Sequence, residues 1–263
     1  MALPAKNYKE LSVFKAGNLL REARRQKALP DRPVPGICLL DPDGDIVRCL
    51  VSIEKASKCT DWACYHTDLY IGQLNGVRFG VIGCAVGAPF AVLVAEELFA
   101  SGCKLIVSIS SAGQLSPIRK PPYFVLITKA LRDEGTSYHY LAPSEFSSLH
   151  SKLKKLLKGA FESSPAPVEA GATWTTDAPF RETTSAVSAG RDMGLLAVEM
   201  EAAALYAFAK ARKKPVICFA HVTNQMASIE GDFEKGAENG CRDALWIFTK
   251  VARLWRCHQK SNL

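Results

Sequence analysis

The sequence predicts an α/β protein with a mixed, mostly parallel central sheet and helices on both faces. Short apolar runs alternate along the chain with segments of helical character, and within each run the apolar residues are continuous. Continuous runs are typical of strands that helices cover on both sides. A length of 263 residues, 48% of them hydrophobic and 22% charged, suits one globular domain with a large core.

The chain divides into an N-terminal helical extension with a proline-rich linker, residues 1–35, and one α/β domain, residues 36–263. In the extension, REARRQK (21–27) is expected on a solvated helix, and ALPDRPVPG (28–36) links that helix to the first strand. The apolar runs predict strands at 36–40, 78–84, 104–110, 123–128 and 215–223, and helices at 89–101, 144–159, 201–213 and 239–256. Ligands of such sheets bind beyond the carboxyl ends of the strands, so the residues after each strand are the candidates for function.

Composition argues against nucleic acid and membrane as partners. The net charge of +7 is modest, and the basic runs at 21–27 and 152–159 suit surface helices without an aromatic-rich reader motif. The start, MALPAKNYKE, contains no apolar signal segment. The longest apolar run, 79–95, is interrupted by glycines and Pro89 and is short for a membrane span. We therefore expect a cytoplasmic protein.

The nine cysteines are scattered through apolar segments, which suits reduced thiols in a cytoplasmic protein. Cys59 and Cys64 are separated by four residues, but no matching Cys/His pair follows along the chain. The sequence therefore predicts no metal site.

Two strand ends carry groups that suit an anion. In DPDGDIVR (41–48), Gly44 allows a tight turn, and the Arg48 guanidinium follows where it can reach an anion held by backbone N–H groups. A hairpin turn with a surface arginine explains the same residues, and taken alone this reading is favoured. In SSAGQL, Ser111 offers a hydroxyl and an N–H, and its small neighbours let a ligand approach.

Two further segments suit a flat heterocycle. TWTTDAPFRET (173–183) places Phe180 and Arg181 in an aromatic and polar stretch that could line a base, although a capped helix start with Asp177 fits it equally. Asn224, after the last strand, has a donor and an acceptor for the edge of a purine or pyrimidine, although asparagine is also common in turns.

The segment LLAVEMEAAALYAF (195–208) places two acids where a buried strand turns into a helix. The apolar residues before Glu199 suit the strand, and the alanines after Glu201 suit a closely packed helix. Acids at this junction lie near the positive end of the helix, which stabilises their charge.

Together these strand ends resemble the purine nucleoside and uridine phosphorylase family over about residues 36–255. The segment VEMEAAALYAFA is the most specific match, and RDEGTSYHYL, GAPFAVLVAEEL and SSAGQL support it. The resemblance implies a single α/β domain around a mixed, partly barrel-like sheet, assembled as a homo-oligomer (dimer or trimer of dimers). It also implies cleavage of the N-glycosidic bond of ribonucleosides by inorganic phosphate, which is a co-substrate, without a metal or organic cofactor.

The same resemblance implies roles for individual residues. Glu201 matches the glutamate that grips the ribose 2′- and 3′-hydroxyls, Met200 matches the methionine that packs against the sugar, and Glu199 is expected to support them. Asn224 stands where the purine branch places its donor to the base. The uridine branch uses a Gln-x-Arg pair beside the base; Arg181 is present without that glutamine, so purine is favoured over uridine.

The phosphate pocket departs from the family pattern. The resemblance assigns Gly44, Arg48 and Ser111 to phosphate, but Ser108 stands where the family has a second arginine, and the segment CYHTDLY (64–70) lacks the arginine usually lent by a neighbouring subunit. Each lost arginine removes a contact of about 1.5–3 kcal/mol. Three functions remain open: a nucleoside phosphorylase, a nucleosidase that uses water instead of phosphate, and a non-catalytic nucleoside-binding protein.

Overall fold

The computed structural model describes residues 6–226 and 230–260, which contain ten strands and eight α-helices. The strands are β1 Ile37–Asp41, β2 Ala56–Lys58, β3 Tyr70–Leu74, β4 Val77–Gly83, β5 Leu105–Gln114, β6 Tyr123–Asp133, β7 Phe146–Ser148, β8 Val168–Thr176, β9 Leu195–Glu199 and β10 Val216–Asn224. The helices are α1 Ala16–Lys27, α2 Asp45–Ser52, α3 Ala88–Ala100, α4 Ser137–Tyr140, α5 Ser151–Leu156, α6 Thr184–Asp192, α7 Ala202–Arg212 and α8 Cys241–Lys260.

The strands form one sheet that is partly closed on itself. Its order is β10-β6-β8-β9-β5-β1-β4-β3-β2, with β7 on β6, and an additional β10–β5 pairing closes β5, β9, β8, β6 and β10 into a ring. In the described residues, five of the ten pairings are parallel and five are antiparallel. The predicted mixed, partly barrel-like α/β fold is therefore confirmed, although parallel pairings do not outnumber antiparallel ones, as the expectation of a mostly parallel sheet required.

The most apolar strands lie at the centre of this sheet. Every residue of β1 and of β10 is buried, as expected for strands that helices cover on both faces. Strands β4, β1, β5 and β10 are mutually parallel in this order, so their carboxyl ends lie along one edge. Strand β9 runs antiparallel to β5, with Val198 opposite Gly113, which brings the end of β9 to the same edge.

Helices α3 and α7 pack against each other and begin near that edge. The alanines of α7 at 202, 203, 204 and 207 are at most 1% exposed, because small side chains let the helix backbone lie close to its neighbours. The predicted close-packing role of the alanine run is confirmed.

The predicted strands and most of the predicted helices are present, with shifts of a few residues at their ends. The helix predicted at 144–159 is wrong over its first part, because Phe146–Ser148 forms β7 and pairs with β6. Helix α5 covers only Ser151–Leu156. A helix also begins directly after Gly44, so the alternative of a hairpin turn at this position is wrong.

Helix α1 lies within the N-terminal segment 1–35 and packs against α3. Leu20 and Ala23 are its buried residues, and its basic residues Arg21, Arg25 and Lys27 face away from the core. Among the described helices, none combines the length and the apolar character that a membrane crossing requires.

Candidate functional site

The junction between β9 and α7 is built around the buried carboxyl of Glu199. This side chain is 3% exposed and accepts four hydrogen bonds: from the N–H groups of Glu201 (2.8 Å) and Ala202 (2.7 Å), and from the hydroxyls of Thr173 (3.2 Å) and Thr175. Burial raises the pKa of Glu199, while the four donors favour its charged form. Glu199 thus caps the first turn of α7 and fixes the backbone of Glu201.

Glu201 directs its carboxyl toward the start of α3. The residue is 2% exposed, and its Oε1 accepts a hydrogen bond of 2.7 Å from the N–H of Gly87. Burial, reinforced by the nearby Glu199 carboxyl, raises the pKa of Glu201 to about 8, although the Gly87 N–H and the Ser110 hydroxyl favour the charged form. The pair Glu199 and Glu201 therefore places two carboxyls of different surroundings at the carboxyl-end edge of the sheet.

The glycine that contacts Glu201 has a backbone conformation that other residues rarely adopt. Gly87 has φ +86° and ψ 153° and immediately precedes α3. Its N–H is thereby aimed at the carboxyl instead of into the helix. Val86, the residue before Gly87, is 50% exposed, so this contact lies close to the protein surface.

A second structured turn lies between β1 and α2. The N–H of Gly44 donates to the carbonyl of Asp41 (2.9 Å), and Gly44 adopts the left-handed conformation with φ +76°. The Asp41 carboxyl accepts from the N–H of Val47 (2.9 Å) and so caps α2. Burial raises the pKa of Asp41 to about 7. The tight turn predicted at Gly44 is confirmed.

Asp43, in this turn, reaches across the sheet edge to Ser111. Its Oδ2 accepts a hydrogen bond of 3.1 Å from the Ser111 N–H and a second hydrogen bond from the Ser111 hydroxyl. The Lys235 ammonium lies 3.6 Å from the same oxygen and 2.6 Å from Asp45. The groups of Ser111 that were expected to bind phosphate therefore hold a carboxylate of the chain itself.

Arg48 lies on α2 beside this turn and is bound by residues of the turn itself. Its guanidinium donates to the Asp43 carbonyl (2.9 Å) and to the Asp45 carboxylate (2.7 Å), and its side chain is 62% exposed. Ser108, where the family pattern has an arginine, is a buried residue within β5. Three residues were predicted to bind phosphate. The structure brings two of them together, because Ser111 contacts the turn that contains Gly44, whereas Arg48 lies on the exposed side of that turn.

The residues predicted to contact a base fall into two groups. Asn224 is 8% exposed, accepts from the N–H of Met226 (2.9 Å), and pairs with Gly113 across β10 and β5. Phe180 and Arg181 instead lie on a surface turn, where Phe180 is 99% exposed. Asn224 thus shares the sheet edge with Glu201, whereas the described residues form no aromatic wall around Phe180.

Lys235 and His221 belong to the same edge but did not stand out in the sequence. Burial lowers the pKa of His221 to about 4, and its ring stacks on Phe124 with 4.4 Å between ring centres. Lys235 bridges Asp43 and Asp45. The position of His221 within the last strand, three residues before Asn224, is the one signal that could have indicated it.

The described surface cavities of about 440–730 Å³ lie elsewhere on the molecule, and none of their lining residues belongs to this edge. The edge itself combines buried carboxyls with half-buried groups, Met200, Ser111 and Asp43 among them. A ligand here would meet Asp43 and Ser111 first and Glu201 beneath them.

Comparison with known proteins assigns the chain to a family. The family described as the phosphorylase superfamily matches residues 44–251. This chain belongs to the phosphorylase superfamily. The match begins at Gly44, so it covers the sheet edge described above except Asp41 and Asp43, which precede it.

Individual members of the superfamily are similar at low identity. The guanosine phosphorylase of Halorubrum lacusprofundi is 29% identical over 167 residues, which are 63% of this chain and 67% of that protein. The purine nucleoside phosphorylase, DeoD-type, of Myxococcus xanthus is 30% identical over 142 residues, or 53% of this chain and 59% of that protein. The crystal structure of uridine phosphorylase from Vibrio fischeri ES114 superposes with a TM-score of 0.71 at 18% identity, covering 86% of this chain and 96% of that one.

Proposed function

We propose that this phosphorylase-superfamily protein cleaves the N-glycosidic bond of ribonucleosides with phosphate, releasing the free base and ribose 1-phosphate. Membership of the superfamily supports the reaction class. Similarity to a guanosine phosphorylase and to purine nucleoside phosphorylases supports a purine base, in line with the missing glutamine of the uridine branch. As the resemblance implies, it acts as a homo-oligomer, and its chemistry needs no organic cofactor. In line with the scattered cysteines of the sequence, we place it in the cytoplasm.

The observation that carries this proposal is the carboxyl of Glu201 at the carboxyl-end edge of the sheet. Glu199 fixes its backbone through two N–H donors, and Gly87 holds one carboxyl oxygen at 2.7 Å. A carboxylate can accept from two neighbouring hydroxyls at once, so it suits the ribose 2′,3′-diol. Burial raises the pKa of Glu201 in the protein without a ligand, and hydrogen bonds donated by the sugar hydroxyls favour its charged form. The negative charge then stabilises the positive charge that develops on the sugar as the glycosidic bond stretches.

In this proposal the base binds beside Asn224. This side chain lies two strands from β9, at the same edge, and carries both a donor and an acceptor. Its oxygen is engaged by the Met226 N–H and its amide by the Thr223 hydroxyl, so recognition of a base would exchange these local hydrogen bonds for contacts to the ligand.

In this proposal phosphate binds to the N–H and the hydroxyl of Ser111. The N–H and hydroxyl of this residue already hold an anion, the Asp43 carboxylate, with Lys235 beside it. Phosphate can occupy the same donors if Asp43 turns away, and Lys235 then supplies the positive charge that the absent arginines would provide.

Hydrolysis is the second candidate, and the Asp43–Ser111 contact favours it. A fixed carboxylate at the position of the nucleophile repels phosphate, yet it can take a proton from a water molecule that attacks the sugar. The side chain of Asp43 is 30% exposed, which leaves it accessible to water. In this reading Asp43 is the general base, and Glu201 keeps its role on the sugar.

One assay separates the candidates. The protein is incubated with inosine, adenosine or uridine, with and without inorganic phosphate, and free base and ribose 1-phosphate are measured. Base release that depends on phosphate and yields ribose 1-phosphate supports the proposal. Release without phosphate supports hydrolysis, and nucleoside binding without release identifies a non-catalytic binding protein.

A further inference from the structure

A cluster of metal-binding side chains lies on a different part of the molecule from the sheet edge. Cys64 and His66 belong to the loop between β2 and β3, and Glu97 belongs to the inner face of α3. One ligand atom from each of these residues lies within 4.8 Å of the other two. Glu97 is ten residues beyond Gly87, about 15 Å along the helix, so the cluster is separate from the carboxyl of Glu201.

Glu97 is the unusual member of this cluster. The residue is 1% exposed, and in the described structure neither of its carboxyl oxygens has a hydrogen-bond partner. A buried carboxylate without hydrogen bonds costs several kcal/mol unless a cation compensates it. The Nδ1 of His66 lies 3.3 Å from Oε1 of this carboxyl.

The two distances from the His66 ring to its partners are close to the edges of a zinc coordination tetrahedron. Typical zinc–ligand bond lengths predict about 3.4 Å between a nitrogen and an oxygen ligand and about 3.6 Å between a sulfur and a nitrogen ligand. The observed distances are 3.3 Å from His66 Nδ1 to Glu97 Oε1 and 3.8 Å from Cys64 Sγ to His66 Nδ1. His66 Nδ1 is therefore spaced from both partners about as it would be around one zinc ion, and all three donor atoms lie within 4.8 Å of one another.

We propose that Cys64, His66 and Glu97 bind one Zn²⁺ ion that fastens the loop at residues 59–69 to helix α3. A sulfur, an imidazole nitrogen and a carboxylate oxygen form a donor set that zinc prefers. On binding, the Cys64 S–H bond breaks and its proton goes to solvent, so one thiolate and one carboxylate balance the two charges of the ion. The His66 side chain is 37% exposed, which leaves the fourth position to water.

This site revises the expectation that the chain holds no metal. That expectation depended on a second Cys/His pair along the sequence, whereas the third ligand is a glutamate 31 residues after His66, on the face of α3 that packs under the loop. Its role is structural, and it adds no step to the proposed cleavage of nucleosides.

The test uses the full-length protein, stripped with a chelator and titrated with Zn²⁺ by isothermal titration calorimetry and with Co²⁺ by absorption spectroscopy. We expect one ion per chain, the visible bands of tetrahedral Co²⁺, and a thiolate-to-cobalt charge-transfer band in the near ultraviolet. Zn²⁺ should also raise the melting temperature, because a preformed site binds it more tightly than the unfolded chain does. An absent ion, or the weak spectrum of octahedral Co²⁺, would overturn the proposal.

Variants identify the ligands. Cys64→Ser should remove the charge-transfer band, and Glu97→Gln should weaken zinc binding at least tenfold and abolish the melting shift. Cys59→Ser, which changes a thiol of the same loop outside the cluster, is the matched control and should bind zinc as the wild type does. If Glu97→Gln does not fold, His66→Asn on the exposed side of the loop gives the same readout. Binding that persists unchanged in these ligand variants would show that other thiols hold the ion.

Discussion

At the residue scale, two acids of the sheet edge have opposite surroundings. Glu201 is buried beside another carboxyl, and its pKa is raised to about 8. Asp43 is half-buried, accepts two hydrogen bonds from Ser111 and lies 3.6 Å from the Lys235 ammonium. The surroundings of Glu201 suit a carboxyl that accepts further hydrogen bonds when a ligand binds. Those of Asp43 suit a carboxylate whose charge is already compensated by donors of the protein.

Replacing Asp43 by asparagine tests its competition with phosphate. The amide keeps the shape but loses the negative charge, so we expect the KM for phosphate to fall by about 10- to 100-fold, the value of one charge-assisted contact. The measurement is phosphorolysis rate against phosphate concentration, with Asp31→Asn, whose side chain is 82% exposed, as the control. An unchanged KM would mean that Asp43 does not occupy the phosphate position.

If Asp43 is instead the base of a hydrolase, phosphate-free turnover of Asp43→Asn should fall by about 10²- to 10⁴-fold.

The raised pKa of Glu201 predicts a pH dependence of stability. Between its ordinary value of 4.5 and about 8, the folded protein keeps a proton that the unfolded chain has lost. Raising the pH through this window therefore favours unfolding. Glu201→Gln cannot titrate, so the free energy of unfolding of the wild type, relative to this variant, should fall by a few kcal/mol from about pH 5 to about pH 8. Urea unfolding at several pH values measures this difference, and a constant difference would contradict a raised pKa.

At the element scale, helix α7 is positioned by its first turn. The first N–H groups of a helix lack partners within the helix, and Glu199 accepts from two N–H groups at this junction, those of Glu201 and Ala202. The buried alanines then hold the helix against its neighbours. The position of Glu201 thus depends on a residue that need not contact a ligand.

Replacing Glu199 by alanine should destabilise the protein by at least about 2 kcal/mol, because a helix cap is lost and buried donors are left unpaired. Turnover should fall as well, since Glu201 loses its support. Glu199→Gln, which keeps an acceptor oxygen, should recover part of both losses, and the surface variant Glu162→Ala should change neither. Denaturant unfolding and the nucleoside assay supply the two readouts. Wild-type stability in Glu199→Ala would contradict a capping role.

Elements that depend on their own sequence pattern were predictable, and elements that depend on distant partners were not. The continuous apolar runs of β1 and β10 are sufficient to predict these two strands. In contrast, β8 is rich in Ala, Gly and Thr and becomes a strand because it lies between β6 and β9. The segment Phe146–Ser148 has the composition of a helix start but pairs with β6, so tertiary contacts override its local preference.

At the scale of the whole molecule, closure of the sheet decides which strand ends meet. The pairing of β10 with β5 joins the two ends of a five-strand ring, and it brings Asn224 beside Gly113. Parallel strand order made a shared edge predictable for Ser111 and Asn224. The Asp43–Ser111 contact was not predictable. It joins residues 68 positions apart, and it depends on how far the turn that carries Asp43 extends beyond the sheet edge.

We assign the carboxyl of Glu201 to the ribose diol, and a double comparison of substrate and variant tests this assignment. Base release from a ribonucleoside and from its 2′-deoxy counterpart is measured as kcat/KM in the wild type and in Glu201→Ala, with Glu162→Ala as the surface control. We expect the wild type to prefer the ribonucleoside by at least about tenfold, the value of one charge-assisted hydrogen bond. Glu201→Ala should lose this preference together with most of its turnover. Full activity and an unchanged preference for ribose in Glu201→Ala would contradict the assignment of this carboxyl to the sugar.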